Sequence, residues 1–257
     1  MTPVMQALRR AAASPDVLVA SDYDGTLAPI VADPDRAFPD TRAMQALASL
    51  AELPGIHAAI LSGRQVSVLE ALSGGPVGVK LVGSHGAEQA DRAPRIDGQL
   101  REELAEVRRQ LASLCDEFPG ARLEAKPTGV AFHYRNVEGE QQSAAESAAR
   151  RVGLAHPELA LLEGKMVVEF AGSAINKGDA LLALRDRTGA EVIVFIGDDV
   201  TDENAFAALR PVDVGVKVGP EPTRARFRVD DQAQVAEILE ALLAFRLDRS
   251  RDLNPGC

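Results

Sequence analysis

The apolar run Val17-Leu18-Val19-Ala20 ends in Asp22-Tyr23-Asp24-Gly25-Thr26-Leu27, so two carboxylates lie two residues apart where a buried strand stops. A short continuous apolar run suits a strand covered on both faces, as in a parallel sheet flanked by helices. Burying carboxylates at its end costs free energy unless they are paired or hold a metal. Folding alone does not ask for them. Phosphoryl transfer through an aspartate nucleophile with a magnesium ion does.

The neighbouring segments share this grammar. Asp40 to Leu53 reads as a helix with Asp40 as N-cap and Met44, Leu47, Leu50 and Ala51 on one face. His57 to Leu61 is a second strand, Val66 to Leu72 a short helix and Val79 to Val82 a third strand. This β-α-β-α-β order predicts a parallel sheet with helices on both faces. From residue 98 the grammar changes. Leu100, Leu104, Val107, Leu111, Leu114 and Phe118 mark a long amphipathic helix. Arg122 to Ala125 and Val130 to Tyr134, joined by Pro127-Thr128-Gly129, read as a hairpin. An alanine-rich helix near Glu140 to Val152 follows, then a second hairpin, Leu159 to Leu162 and Met166 to Phe170, around Gly164. After Gly172 the first grammar returns: helix Asn176 to Arg187, strand Val192 to Ile196, helix Asp202 to Leu209, strand Val212 to Val216 and a last helix, Val235 to Phe245. The polar tail from Arg246 is expected to fray. The fold class is therefore α/β. Residues 1–97 and 173–257 form a discontinuous, Rossmann-like parallel-sheet core, and residues 98–172 form an inserted α+β module.

Composition narrows the partners. The net charge of -10 argues against nucleic acid or an anionic membrane. It also means that an anionic substrate needs local positive charge or a metal. Cys115 and Cys257 are the only cysteines, so no disulfide framework is expected and a reducing cytoplasm fits. Met1 to Arg10 lacks the apolar stretch of a signal peptide, and no run approaches the roughly 18 apolar residues of a membrane span.

Ligands of open parallel sheets bind beyond the carboxyl ends of the strands. Three polar groups follow apolar strands in this way: Asp22/Asp24, Ser62-Gly63-Arg64 and Gly197-Asp198-Asp199. A fourth, Asn176-Lys177-Gly178-Asp179, opens a helix. Asp22 is placed to attack phosphorus, and Asp24 to protonate the leaving alcohol and then take a proton from water. Adjacent acids at Asp198 and Asp199 repel unless a cation is present. Asp22, the Asp24 backbone carbonyl and Asp198 suit the protein's share of a Mg²⁺ octahedron. Asp199 and Asp202 lie beside them, suited to orient water or a ligand. Lys177 stands in the first turn of its helix against the macrodipole, which is tolerated if an anion faces it. Ser62 can bond a phosphate oxygen, Gly63 lets amides approach, and Arg64 adds charge. Singly, each group also reads as a turn, a cap or a solvated charge. Their order along the chain is what distinguishes them.

Together, Asp22-x-Asp24-Gly25-Thr26, Ser62, Lys177 and Gly197-Asp198-Asp199-x-x-Asp202 resemble the haloacid dehalogenase superfamily of phosphohydrolases. The resemblance implies Asp22 as nucleophile, Asp24 as acid/base, Ser62 and Lys177 on the phosphate, Asp198 on Mg²⁺, and the insertion as a cap over the active site. Asp22-Tyr23-Asp24-Gly25-Thr26-Leu27-Ala28-Pro29-Ile30, Leu61-Ser62-Gly63-Arg64, Gly83-Ser84-His85-Gly86-Ala87-Glu88 and Gly197-Asp198-Asp199-Val200-Thr201-Asp202-Glu203 further resemble the trehalose-6-phosphate phosphatases. That likeness implies hydrolysis of this sugar phosphate as the last step of trehalose biosynthesis. It adds Gly63, Arg64, His85 and Gly86 to the substrate site. It also implies that Glu124, Lys126, Arg135, Lys165 and Glu169 of the cap hold the sugar hydroxyls. A monomer with a small-molecule substrate and no obligate protein partner is expected. Phenylalanine is a frequent counterpart of Tyr23, and the exchange is expected to be neutral. Another sugar phosphate (of sucrose or glucosylglycerate), a phosphomutase reaction and a non-catalytic sensor are the alternatives.

Overall fold

The computed structural model describes residues 2–89, 98–126, 128–172 and 175–253. It divides into two compact units, Met1–Gly86 with Asn176–Cys257, and Ala87–Ile175. The sequence placed the insertion at 98–172; the chain leaves the first unit at 87 and returns at 176. Pro127 and Cys257 lie outside the described residues.

The first unit opens with α1 (Pro3–Ala12), capped by the Thr2 side chain. Then come β1 (Val17–Ser21), α2 (Thr41–Ala51), β2 (Ile56–Leu61), α3 (Val66–Ser73) and β3 (Val79–Gly83). Asp40 caps α2 by accepting from the Ala43 amide at 2.9 Å. The second unit holds β4 (Glu88–Gln89), α4 (Gly98–Glu117), β5 (Arg122–Lys126), β6 (Gly129–His133), α5 (Gly139–Ala155), β7 (Ala160–Gly164) and β8 (Val167–Ala171). The chain then returns through α6 (Lys177–Thr188), β9 (Val192–Gly197), α7 (Asp202–Ala208), β10 (Val214–Val218), β11 (Phe227–Val229) and α8 (Gln232–Leu253).

Six strands of the first unit run parallel in the order β11-β10-β9-β1-β2-β3. β1 is central, and its alternation divides the core. Val17 and Val19 pack with Leu8, Leu47 and Leu239, whereas Leu18 and Ala20 pack with Leu181, Leu184 and Phe206. Each of these valine, leucine and phenylalanine side chains contributes about 1.5–3 kcal/mol by leaving water. Because Ser21 pairs with both Ile60 and Ile196, the carboxyl ends of β1, β2 and β9 finish side by side.

Three features depart from the sequence reading. α1 and the three-residue edge strand β11 were not anticipated. The tail from Arg246 does not fray: α8 continues to Leu253, and Arg246 is buried. Its guanidinium donates to the carbonyls of Ala12, Ser14, Pro15 and Pro54, tying α8 to both neighbouring loops. A polar residue read as solvent-facing is a clamp on backbone carbonyls, two of which, those of Ala12 and Ser14, also accept from Arg249.

In the second unit an antiparallel sheet, β5-β6-β8-β7, carries α4 and α5 on one face. Val130, Phe132, Val168 and Phe170 meet Val107, Leu111, Ala145 and Ala149 there. By strand alternation, Glu124, Lys126, His133 and Glu169 take the opposite face, with Ala131 between Glu124 and Glu169 in register. Among the described residues no helix is long and apolar enough to cross a membrane.

Candidate active site

Asp22 continues β1 by one residue, its amide donating to the Ile196 carbonyl at 2.8 Å. Its Oδ1 accepts from the Tyr23 amide at 2.7 Å and from Lys177 Nζ at 2.8 Å. Among the described residues no hydrogen bond reaches Oδ2, which leaves one oxygen for attack. After Asp24 the backbone turns through Gly25 at φ +82°. Glycine is required twice over here. The left-handed φ strains other residues, and a Cβ would run into the Asp198 carboxylate. That carboxylate accepts from Thr26 Oγ1 at 3.3 Å.

The loop after β9 is pinned by Asp202. Its Oδ2 accepts the amides of Asp198 and Asp199 at 2.9 and 2.8 Å, and its Oδ1 accepts Lys177 Nζ at 2.7 Å. Gly197 has no room for a side chain, because the Asp202 carboxylate lies 2.5 Å from where a Cβ would stand. Lys177 opens α6 behind Asn176, which forms a reciprocal capping box with Asp179. The anion that the macrodipole argument required is a pair, Asp22 and Asp202. Burial alone would push the Lys177 ammonium down, but Asp202 and Asp22 outweigh it and hold it above its usual range.

Asp22, Asp198 and Asp202 have carboxylate oxygens within 4.8 Å of one another, and all three are buried. Burial pushes the Asp22 carboxyl well above the usual carboxylate range. Asp202 and Asp198 push the same way, and Lys177 opposes them. Both oxygens of Asp202 already accept strong donors, so Asp22 and Asp198 are the members with capacity for a metal. Three acids against the buried ammonium groups of Lys177 and Lys217 still leave a negative surplus, which a hard divalent cation with oxygen ligands fits.

Ser62 follows β2. Its amide donates to Val82 O at 2.9 Å, and its Oγ accepts from the Arg64 amide at 3.1 Å. Gly63 lies against the His85 imidazole, 2.6 Å from where a Cβ would stand. Ser84 and His85 sit at φ 48° and 54°, strained for non-glycine residues. Their amides, bonded to the carbonyls of Arg64 and Ser62 at 2.8 and 3.0 Å, hold them and lead into Gly86. Arg64, read as charge for a phosphate, forms a bidentate pair with Asp24 at 2.6 and 2.7 Å. Its guanidinium also lies 5.8 Å from the Tyr23 ring centre.

On the polar sheet face of the second unit, Lys126 pairs with Glu169, both side chains buried. His133 Nε2 donates to Glu124 at 2.9 Å. Burial would raise Glu124, but this bond and the Lys126 charge hold it below the usual range. Arg135 donates to the Lys165 carbonyl at 3.2 Å, and both residues lie outside the buried pairs. His133 and Lys217 were missed. His133 shares the sheet face with Arg122, its partner in register, and alternation was the signal that could have found it. Lys217 follows the strand read at Val212 to Val216 and was given no role; it is buried beneath the Asp198 carbonyl.

A parallel α/β sheet with an inserted α+β unit and an aspartate-lysine-aspartate cluster at the strand ends defines a phosphohydrolase of the haloacid dehalogenase type. The trehalose-phosphatase family model matches residues 20–233, and the chain belongs to that family of phosphoric monoester hydrolases. It is 34% identical to the trehalose-6-phosphate phosphatase of Escherichia coli K12, over 91% of this chain and 88% of that protein. It is 35% identical to the trehalose-phosphate phosphatase of Mycobacterium tuberculosis, over 86% of this chain but 60% of that longer protein. The fold matches the C-terminal domain of the C. albicans trehalose-6-phosphate phosphatase with TM-score 0.82, at 24% identity, over 95% and 97% of the two chains.

Proposed function

We propose that the chain hydrolyses trehalose 6-phosphate to trehalose and phosphate through an aspartyl-phosphate at Asp22. The observation that carries this is the Asp22 carboxylate, fixed at one oxygen by Lys177 and the Tyr23 amide, within a buried acidic cluster that needs a cation. Asp22 Oδ2 attacks phosphorus while the bond to the sugar oxygen breaks. Asp24 gives that oxygen a proton, then takes one from the water that attacks the aspartyl-phosphate. Both Asp24 oxygens accept from Arg64, so one of these bonds opens before Asp24 reaches the leaving group. Asp22, Asp198 and the Asp24 carbonyl would hold Mg²⁺, which when bound neutralises charge on the phosphoryl oxygens. Lys177 and Ser62 serve the same oxygens, and Gly63, His85 and Gly86 shape the floor beside them.

The second unit is the cap. Glu124, Lys126, Glu169, Arg135 and Lys165 supply hydrogen bonds to sugar hydroxyls. A wrong sugar leaves those charges unpaired, which is how such a site discriminates. With 4% aromatic residues and no tryptophan, stacking on a sugar face has little to draw on. The working form is a cytoplasmic monomer without nucleic-acid, membrane or obligate protein partners.

A panel of phosphate esters tests the substrate. Purified protein with Mg²⁺ should release phosphate from trehalose 6-phosphate, and EDTA should stop it. A preference below tenfold over sucrose or glucosylglycerate phosphate, about 1.4 kcal/mol, overturns the assignment.

A further inference from the structure

Lys217 is buried to 2% exposure and has no part in the chemistry above. It stands on β10 in register with Gly197, the last residue of β9 before the acidic loop. Its Nζ donates to the Asp198 backbone carbonyl at 2.6 Å and lies 3.7 Å from Glu203 Oε1. Burying an ammonium costs hydration and side-chain freedom, and the Glu203 carboxylate, at 3.7 Å, offsets that only in part. An ordinary amide or a water could satisfy that carbonyl at lower cost.

The place of Asp198 explains the cost. Its amide is held by Asp202 Oδ2 at 2.9 Å, its carboxylate accepts from Thr26 Oγ1 at 3.3 Å, and its carbonyl is held by Lys217. The main chain of Asp198 is therefore fixed at both peptide groups, and its carboxylate stays against Gly25 and near Asp22. We infer that Lys217 is a positioning residue for the divalent-metal site: it fixes the Asp198 backbone so that the carboxylate is preorganised opposite Asp22. The inference rests on the metal reading given above.

Charge and positioning make opposite claims about Lys217. A nearby ammonium repels a divalent cation, so if charge were its main effect, Lys217→Met would bind Mg²⁺ more tightly. If positioning dominates, the variant binds more weakly. The experiment is calorimetric titration of Mg²⁺ into the full-length wild type and Lys217→Met, without substrate. The dissociation constant should rise roughly 10- to 100-fold. Phosphate release should recover at saturating Mg²⁺. A merely structural role would lower the melting temperature and leave the Mg²⁺ affinity alone. Unchanged or tighter binding in the variant, beside normal uptake by the wild type, overturns the inference and spares the metal reading. No uptake by the wild type overturns both. If Lys217→Met does not fold, Lys217→Leu, which likewise has no donor for the Asp198 carbonyl, carries the same expectation, and wild-type affinity there overturns it.

Discussion

In the first unit three buried carboxylates, Asp22, Asp198 and Asp202, cluster within 4.8 Å, and the ammonium of Lys177 pairs with two of them, Asp22 and Asp202. On the polar sheet face of the second unit each acid has its own partner: Glu169 has Lys126, and Glu124 has His133. The difference is one of charge balance. A surplus of buried negative charge stays unfavourable until a cation arrives, so the first unit is prepared for a metal and the phosphoryl group it would neutralise. Pairs in which each acid has its own donor need no ion. They present charged donors and acceptors that neutral hydroxyls can join, and such bonds are worth roughly 1.5–3 kcal/mol each.

The comparison is most exposed at Asp22. Asp22→Asn should lower turnover by about 10⁴-fold or more while the fold survives. It should also stabilise the metal-free protein at neutral pH. The sign follows from the raised carboxyl. The unfolded chain loses this proton near about pH 4 and the folded one only at higher pH, so wild-type stability falls as pH rises between the two values. Asparagine has no such loss. Thermal melts in EDTA should show a gap between variant and wild type that opens as pH rises and closes when Mg²⁺ is added. A wild type that stays the more stable at neutral pH would mean that the surplus charge is already compensated.

Gly25→Ala tests the same unit by geometry. The new methyl must displace the Asp198 carboxylate, and a misplacement of this kind costs about 100-fold in rate. Initial rates across a Mg²⁺ series measure it, with the apparent Mg²⁺ requirement rising in parallel. In the second unit, Glu124→Gln should raise KM for the sugar phosphate about tenfold with little change in kcat. Hydrolysis of p-nitrophenyl phosphate, which carries no sugar, should stay as in wild type. Equal losses on both substrates would erase the division of labour between the units.

The smallest effect lies at Tyr23. The sequence reading expected phenylalanine there to be neutral. The hydroxyl is buried and donates to Ala37 O at 2.9 Å, so Tyr23→Phe should cost about 1 kcal/mol in denaturant unfolding, with turnover unchanged.

The core was legible because periodicity reports burial: β1, β2 and β9 are apolar runs, and the acids at the ends of β1 and β9 have no folding purpose. Lys177 was legible because it opposes a helix dipole. What escaped has a common cause. Arg246, Lys217 and Tyr23 are polar groups whose partners are backbone carbonyls distant in sequence, and no local pattern announces such a partner. His133 was hidden by its neighbours Phe132 and Tyr134, both buried on the apolar side. Gly25 was read as a turn residue and Gly197 as the start of an acidic motif; that their missing side chains make room for the carboxylates of Asp198 and Asp202 emerges only from the packing.

The covalent role of Asp22 can be read directly. In Asp24→Asn, p-nitrophenyl phosphate still transfers its phosphoryl group, because its leaving group needs no proton, whereas hydrolysis of the aspartyl-phosphate lacks its base. Radiolabelled p-nitrophenyl phosphate with Mg²⁺, acid quench and peptide mapping should therefore place the label on the peptide carrying Asp22, where hydroxylamine releases it. Label on another residue, or none while wild-type turnover proceeds, would contradict Asp22 as the nucleophile.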